Sequence, residues 1–266
     1  MIKRGQVTIF IIVAIVIVAS AAAILLLVQT QKPVESPEVK EVGNFVSTCL
    51  QQVSEDAIIA VGEQGGYYNL PERTNYFSFF PKPYYIYETE NLVPGKQILE
   101  KEISEYVGDN IDFCFNDFSD FKLRGVEVKK TNINQVNTRI MGGDSSVGIS
   151  AKIPITITKG NSTSFVSDFY AITIPIRFDI LLKASNEITD SQIKDSRTIC
   201  LTCVQDIAEN YNLRVDIIET DDRNEFVYNL IDEQSNFTGL PYEYSFAARY
   251  KFSECVTTEE CFNALQ

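Results

Sequence analysis

Two cysteines three positions apart, Cys200 and Cys203, are the residues of this chain whose types and spacing point most directly to chemistry. They open a segment patterned as a short helix, Val204 to Tyr211. A helix N-terminus lowers a thiol's pKa and favours the reactive thiolate, although the same spacing also suits a purely structural disulfide. Cys49, Cys114, Cys255 and Cys261 bring the total to six. That even number suits a disulfide framework in an oxidising space, and the sequence leaves its connectivity open. Two pairs could instead supply a four-sulfur zinc site, a reading that an exported location, argued below, disfavours. The chain has no histidine, which removes Ser-His-Asp triads, Cys-His pairs and the commonest metal ligand. It also lacks a Walker-type loop and a strand-linked GxGxxG. The acidic groups Asp109, Asp112 and Asp117, or Asp221 and Asp222, lack the alternating carboxylates and glycine of an EF-hand loop. No spacing singles out a carboxylate pair for glycoside hydrolysis. No metal, no cofactor and no enzymatic activity are expected.

The richest binding chemistry lies between residues 67 and 87, where nine of 21 residues are aromatic. Tyr67, Tyr68, Tyr76, Phe77, Tyr84, Tyr85 and Tyr87 form a candidate patch for a glycan, a peptide or an envelope partner if exposed. Otherwise the segment makes a pair of strands that tuck rings against helices and leave hydroxyls outside. Asn161-Ser162-Thr163 and Asn236-Phe237-Thr238 are N-glycosylation sequons, which makes Asn161 and Asn236 candidate acceptors on surface loops.

These residues must be positioned by an α+β framework. Val39, Val42, Val46, Cys49, Val53, Ala57 and Ala60 recur at helical spacing and predict an amphipathic helix ending near Gly62 or Gly65-Gly66. A second helix follows Pro94-Gly95, with Leu99, Ile103, Tyr106 or Val107, Ile111 and Cys114 on one face. Antiparallel packing of the two brings Cys49 and Cys114 together, and that disulfide is favoured. Leu123 to Lys130, Gln135 to Met141, Ser146 to Thr158 and Ser164 to Phe178 read as strands. The turn signals Gly142-Gly143-Asp144 and Lys159-Gly160-Asn161 make a meander the simplest topology. Ile180 to Asp195 suits a helix, and Leu213 to Glu219, Glu225 to Asp232 and Tyr242 to Lys251 suit strands, with a hairpin loop over Thr220 to Asn224.

The N-terminus sets the compartment. Lys3 and Arg4 precede a stretch from Val7 to Val28 without a charged residue. That is about 22 residues, enough to cross a hydrocarbon core of about 30 Å. The positive-inside rule then leaves Lys3 and Arg4 cytoplasmic and exports the rest. Of the 23 basic residues the other 21 follow the span, against all 36 acidic ones, a surface that repels nucleic acid. The expected organisation is a basic leader over 1–5, a transmembrane helix over 6–28, a stalk over 29–40 with Pro33 and Pro37, and an extracytoplasmic domain over 41–266. That domain holds two amphipathic helices and an antiparallel sheet, as one unit or as lobes 41–120 and 121–266. The expected location is the cytoplasmic membrane, single-pass, with the C-terminal domain outside or in a surface filament. The bilayer, identical subunits and other envelope proteins are the expected partners.

Lys3-Arg4-Gly5-Gln6-Val7-Thr8 resembles the class III signal peptide of archaeal type IV pilins. The resemblance covers about 25 residues. It implies cleavage between Gly5 and Gln6 and retention of the apolar helix for packing into a filament. The family often has Glu at the fifth mature position, where this chain has Phe10. Cys200-x-x-Cys203 also resembles a thioredoxin-type redox pair, without that motif's aromatic and Gly-Pro neighbours, and is read as a structural disulfide. The function expected is a pilin-like structural or adhesive surface protein. The alternative is a signal-anchored binding module.

Overall fold

Helix α1, Pro37–Glu63, begins where the chain offers both a cap and a suitable first residue. The Ser36 hydroxyl accepts from the Val39 N–H at 3.4 Å, and Pro37 occupies the first turn, where its missing N–H leaves no bond unmade. The helix thus begins inside the stretch expected to be a stalk. The computed structural model describes residues 14–20, 36–76, 81–131, 135–142, 145–166, 169–235 and 239–252.

One expectation needs correction. Within 6–28 only residues 14–20 are described; they are helical and exposed, and seven residues rise only about 10 Å. Among the described residues no helix is long and apolar enough to cross a membrane. The α+β class holds for these residues, but a transmembrane helix is not part of the described fold. The rest of 6–28, with Lys3, Arg4, Gly5 and Gln6, lies outside the described residues.

Helix α1 buries Val39, Val42, Val46, Cys49, Leu50, Val53, Ala57, Ile58 and Val61 on one face. It packs against α2, Lys96–Phe115, which buries Leu99, Ile103, Val107, Ile111 and Phe115. Cys49 and Cys114 meet across this seam in a disulfide, with Cα atoms 5.7 Å apart and the two residues 65 positions apart in sequence. Closing so long a loop restrains the unfolded chain by about 4 kcal/mol in the chain-entropy picture. The double replacement Cys49→Ser, Cys114→Ser is expected to lower the urea-unfolding free energy by about that amount. A loss under about 1 kcal/mol would contradict it.

The main sheet joins β1 (Thr74–Asn75), β2 (Lys82–Tyr87), β12 (Tyr242–Arg249), β11 (Glu225–Asp232) and β10 (Arg214–Glu219) in that order, with β3 (Glu90–Asn91) on β2. It is not wholly antiparallel: β12 runs parallel to β2, with Ala247 opposite Tyr84. Parallel neighbours need a long crossover, and nearly the whole domain supplies it here. A division at residue 120 would cut this sheet.

Two smaller sheets replace the expected meander. β4 (Val126–Lys130), β7 (Ile155–Lys159) and β8 (Ser162–Phe165) form one, and β5 (Gln135–Met141), β6 (Ser146–Lys152) and β9 (Phe169–Ile174) form the other. Ser146 to Thr158, read as one strand, is broken at Ile153-Pro154. Pro154 has no N–H to continue a ladder, so the chain passes there from one sheet to the other. The turn signals at Gly142 and Gly160 fall in the two hairpins.

After β3 and α2, helix α3 (Ser119–Leu123) leads into β4. Helix α4, Phe178–Ile193, contacts β2 and β3, and α5, Leu201–Tyr211, packs on α4 and β10. One face of the main sheet is a continuous aromatic layer. Tyr85, Phe246 and Tyr228 stack in sequence, with centroids 4.4 and 5.3 Å apart. Phe178 meets Tyr242 and Tyr244 edge-on. Their hydroxyls are satisfied inside: Tyr242 donates to the Ile58 carbonyl at 2.7 Å, Tyr85 to that of Gly65 at 2.9 Å, and Tyr244 pairs with Tyr85. Helix and sheet approach closely because of Gly62, where an added Cβ would lie 1.8 Å from the Tyr242 hydroxyl.

Candidate functional site

The aromatic segment does not act as one patch. Tyr85 is fully buried in the core, and Tyr84 is nearly so, so the condition of exposure set for the patch is not met at these two positions. Tyr67 and Tyr68 are half-buried after α1. They are fixed there by Glu102, a buried carboxylate of α2 that accepts the N–H groups of Tyr68 at 3.0 Å and Asn69 at 2.7 Å. Tyr68 packs edge-on against Tyr106. Tyr76 is 70% exposed, and Phe77 lies outside the described residues. The reading of two strands that tuck rings inward describes the part of the segment around β2.

What the fold does assemble is a polar corner where β1, β2, β11 and β12 end. The Asn75 amide donates to the Tyr84 hydroxyl at 3.2 Å and to the Glu225 carboxylate at 2.5 Å. Arg249 donates to Glu225, its cross-strand partner, and sits 3.4 Å from Asp222. The Arg73 guanidinium covers the Tyr87 ring at 4.4 Å and holds Glu90 at 2.8 Å. Tyr84 meets Tyr87 edge-on at 5.4 Å. Burial, and next the hydrogen bond with Glu225, push the Tyr84 hydroxyl up to about 12. It stays protonated at neutral pH, so it serves as a hydrogen-bonding group and not as a base. The corner offers guanidinium, amide and ring faces for recognition, with the exposed Tyr76 next in sequence. Four of its members, Arg73, Asn75, Glu225 and Arg249, were not legible as site residues. The only signal was opposite charge at the two ends of the β11–β12 hairpin, which needs the register to be read.

The second cluster is the cysteine pair. Cys200 and Cys203 form a disulfide with Cα atoms 5.3 Å apart, and Cys200 caps α5, its Sγ accepting from the Cys203 N–H at 3.3 Å. Gln192, a core residue with no mark in the sequence, binds the Cys200 backbone from α4. Cys255, Cys261 and Asn236 lie outside the described residues. Asn161 is exposed in the β7–β8 turn. Three of the five acidic residues considered for cations hold cations of the chain: Asp112 pairs with Lys130, Asp117 with Lys122 at 2.9 Å, and Asp222 with Arg249.

Comparison with protein-family models, with curated proteins and with solved structures finds no match. The functional reading therefore rests on the residues of this chain.

Proposed function

We propose that this chain is an exported structural or adhesive protein of the cell surface, pilin-like in its processing. It is cut after Gly5 and assembles through the apolar segment that begins at Gln6. The observation that supports this best is the Cys49–Cys114 disulfide at the seam of the two longest described helices, because such bonds persist in oxidising compartments. The basic start, the charge-free stretch and the acidic remainder agree with it. Shearing intact cells tests the reading: the full-length domain should appear in the sheared surface fraction, with Cys49 and Cys114 joined. Recovery only from the cytoplasm, with both thiols free, would contradict it.

A second reading, a module that binds a glycan, peptide or envelope partner, is favoured by the Arg73–Tyr87–Arg249 corner and the exposed Tyr76. On that reading Tyr76→Ala and Arg73→Ala abolish binding to isolated envelope without altering thermal unfolding.

A further inference from the structure

Gln192 is 1% exposed, and both ends of its amide bind the Cys200 backbone, with a further bond from Nε2 to the Ser191 hydroxyl at 3.0 Å. Oε1 accepts from the Cys200 N–H at 2.9 Å, Nε2 donates to the Cys200 carbonyl at 3.3 Å, and the Tyr250 hydroxyl donates to the same Oε1 at 3.4 Å. A buried amide is costly unless its bonds are made, and here they hold still the head of an eleven-residue helix. At that head the Cys200 sulfur accepts from the Cys203 N–H at 3.3 Å and lies 3.6 Å from the Thr202 hydroxyl. Two donors and the positive end of the helix dipole thus converge on one sulfur, an arrangement that stabilises a thiolate.

Fold stability does not account for this care. The bond joins residues three apart, whereas Cys49–Cys114 spans 65, and the restraint on the unfolded chain grows with loop length. Both sulfur-bearing residues of the pair are half-exposed. Beside it, Leu201 is 62% exposed at the mouth of a groove of about 360 Å³ lined by Val204, Leu213, Val215 and Ile217. The groove runs along β10, the outermost strand of the main sheet among the described residues, and an outermost strand can pair with an extended chain.

We propose that Cys200–Cys203 is a thiol–disulfide exchange centre that oxidises dithiols in unfolded polypeptides, whose extended apolar segments lie along β10. A substrate thiolate attacks the Cys200 sulfur, and the Cys200–Cys203 bond breaks. Cys203 leaves as a thiolate and takes a proton from water. The second substrate thiolate then attacks the substrate sulfur of the mixed disulfide. Cys200 departs as the thiolate that the Cys203 N–H and the Thr202 hydroxyl stabilise. Two electrons pass from the substrate dithiol to the pair; of the two protons the dithiol gives up to water, one is taken by Cys203 and the other stays in solvent, Cys200 remaining a thiolate.

The test uses the full chain with Cys255→Ser and Cys261→Ser, mixed with a reduced synthetic peptide carrying two cysteines among apolar residues. One peptide disulfide per protein should form, with both new thiols mapping to Cys200 and Cys203. In a Cys203→Ser chain, alkylation of Cys200 should show a midpoint below the value of about 8.5 of an ordinary cysteine. Leu201→Glu and Ile217→Lys should each slow the peptide reaction about tenfold or more by removing apolar contact, with dithiothreitol reacting as before. A pair that stays oxidised, or a Cys200 midpoint at or above the ordinary value, overturns the exchange centre. Unchanged peptide rates in both groove variants overturn the docking along β10.

Discussion

Raising the pH above 10 is expected to unfold this protein cooperatively, within about one to two pH units. Tyr84, Tyr85, Tyr228, Tyr242, Tyr244 and Tyr250 all have hydroxyls pushed up from the ordinary 10.0, with burial the leading cause for each. Tyr228, fully buried, is raised to about 12, worth about 3 kcal/mol on its own. The sign follows from proton counting. Above pH 10 the unfolded chain loses these protons while the folded chain keeps them, so stability is whole below 10 and falls as the pH climbs toward the folded values. Each such tyrosine removes about 1.4 kcal/mol per pH unit, and six together about 8, against a typical domain stability of about 5–15 kcal/mol. Tyrosinate absorbance and far-UV circular dichroism should therefore change together. Independent titration of these tyrosines near 10, with the fold intact, would contradict the buried aromatic layer.

The second large effect concerns Arg177 and Asp232. Asp232 is fully buried at the end of β11, and Arg177, just before α4, binds both of its oxygens, at 2.5 and 3.0 Å. The guanidinium also donates to the carbonyls of Tyr211 and Asn212, and Asp232 accepts from Ser235 at 2.7 Å and the Gln234 N–H at 3.1 Å. The pair thus ties α4 to the ends of β11 and α5. Arg177→Met strands a buried carboxylate and should cost about 3–5 kcal/mol in urea unfolding. The double change Arg177→Met, Asp232→Leu removes both charges and should recover most of that. A single variant within about 1 kcal/mol of the parent would contradict the role given to the pair.

What the sequence made legible was local and periodic. The helical spacing of Val42, Val46, Cys49 and Val53 matched by Ile103, Val107, Ile111 and Cys114 was enough to anticipate one disulfide. Strands were also legible at Glu225 to Asp232 and at Tyr242 to Lys251, the second ending two residues earlier, at Arg249. Ser36-Pro37 carried a cap-and-first-turn signal that Pro33, four positions before Pro37, obscured, and it read as part of a stalk. The parallel pairing of β2 with β12 left no trace, because a contact between Tyr84 and Ala247 has no local pattern. For the same reason the corner of Arg73, Asn75, Glu225 and Arg249 stayed hidden. Whether Tyr85 is buried stayed open in the sequence because its ring partners, Tyr244 and Phe246, lie about 160 positions along the chain.

The central claim, an exported pilin-like surface protein, turns on one bond. Mass spectrometry of the N-terminal peptide, taken from protein extracted from native cells, reads that bond directly and is not blocked by cyclisation of an N-terminal glutamine. The account predicts a mature chain that begins at Gln6. A chain that still carries Met1 to Gly5 would contradict it.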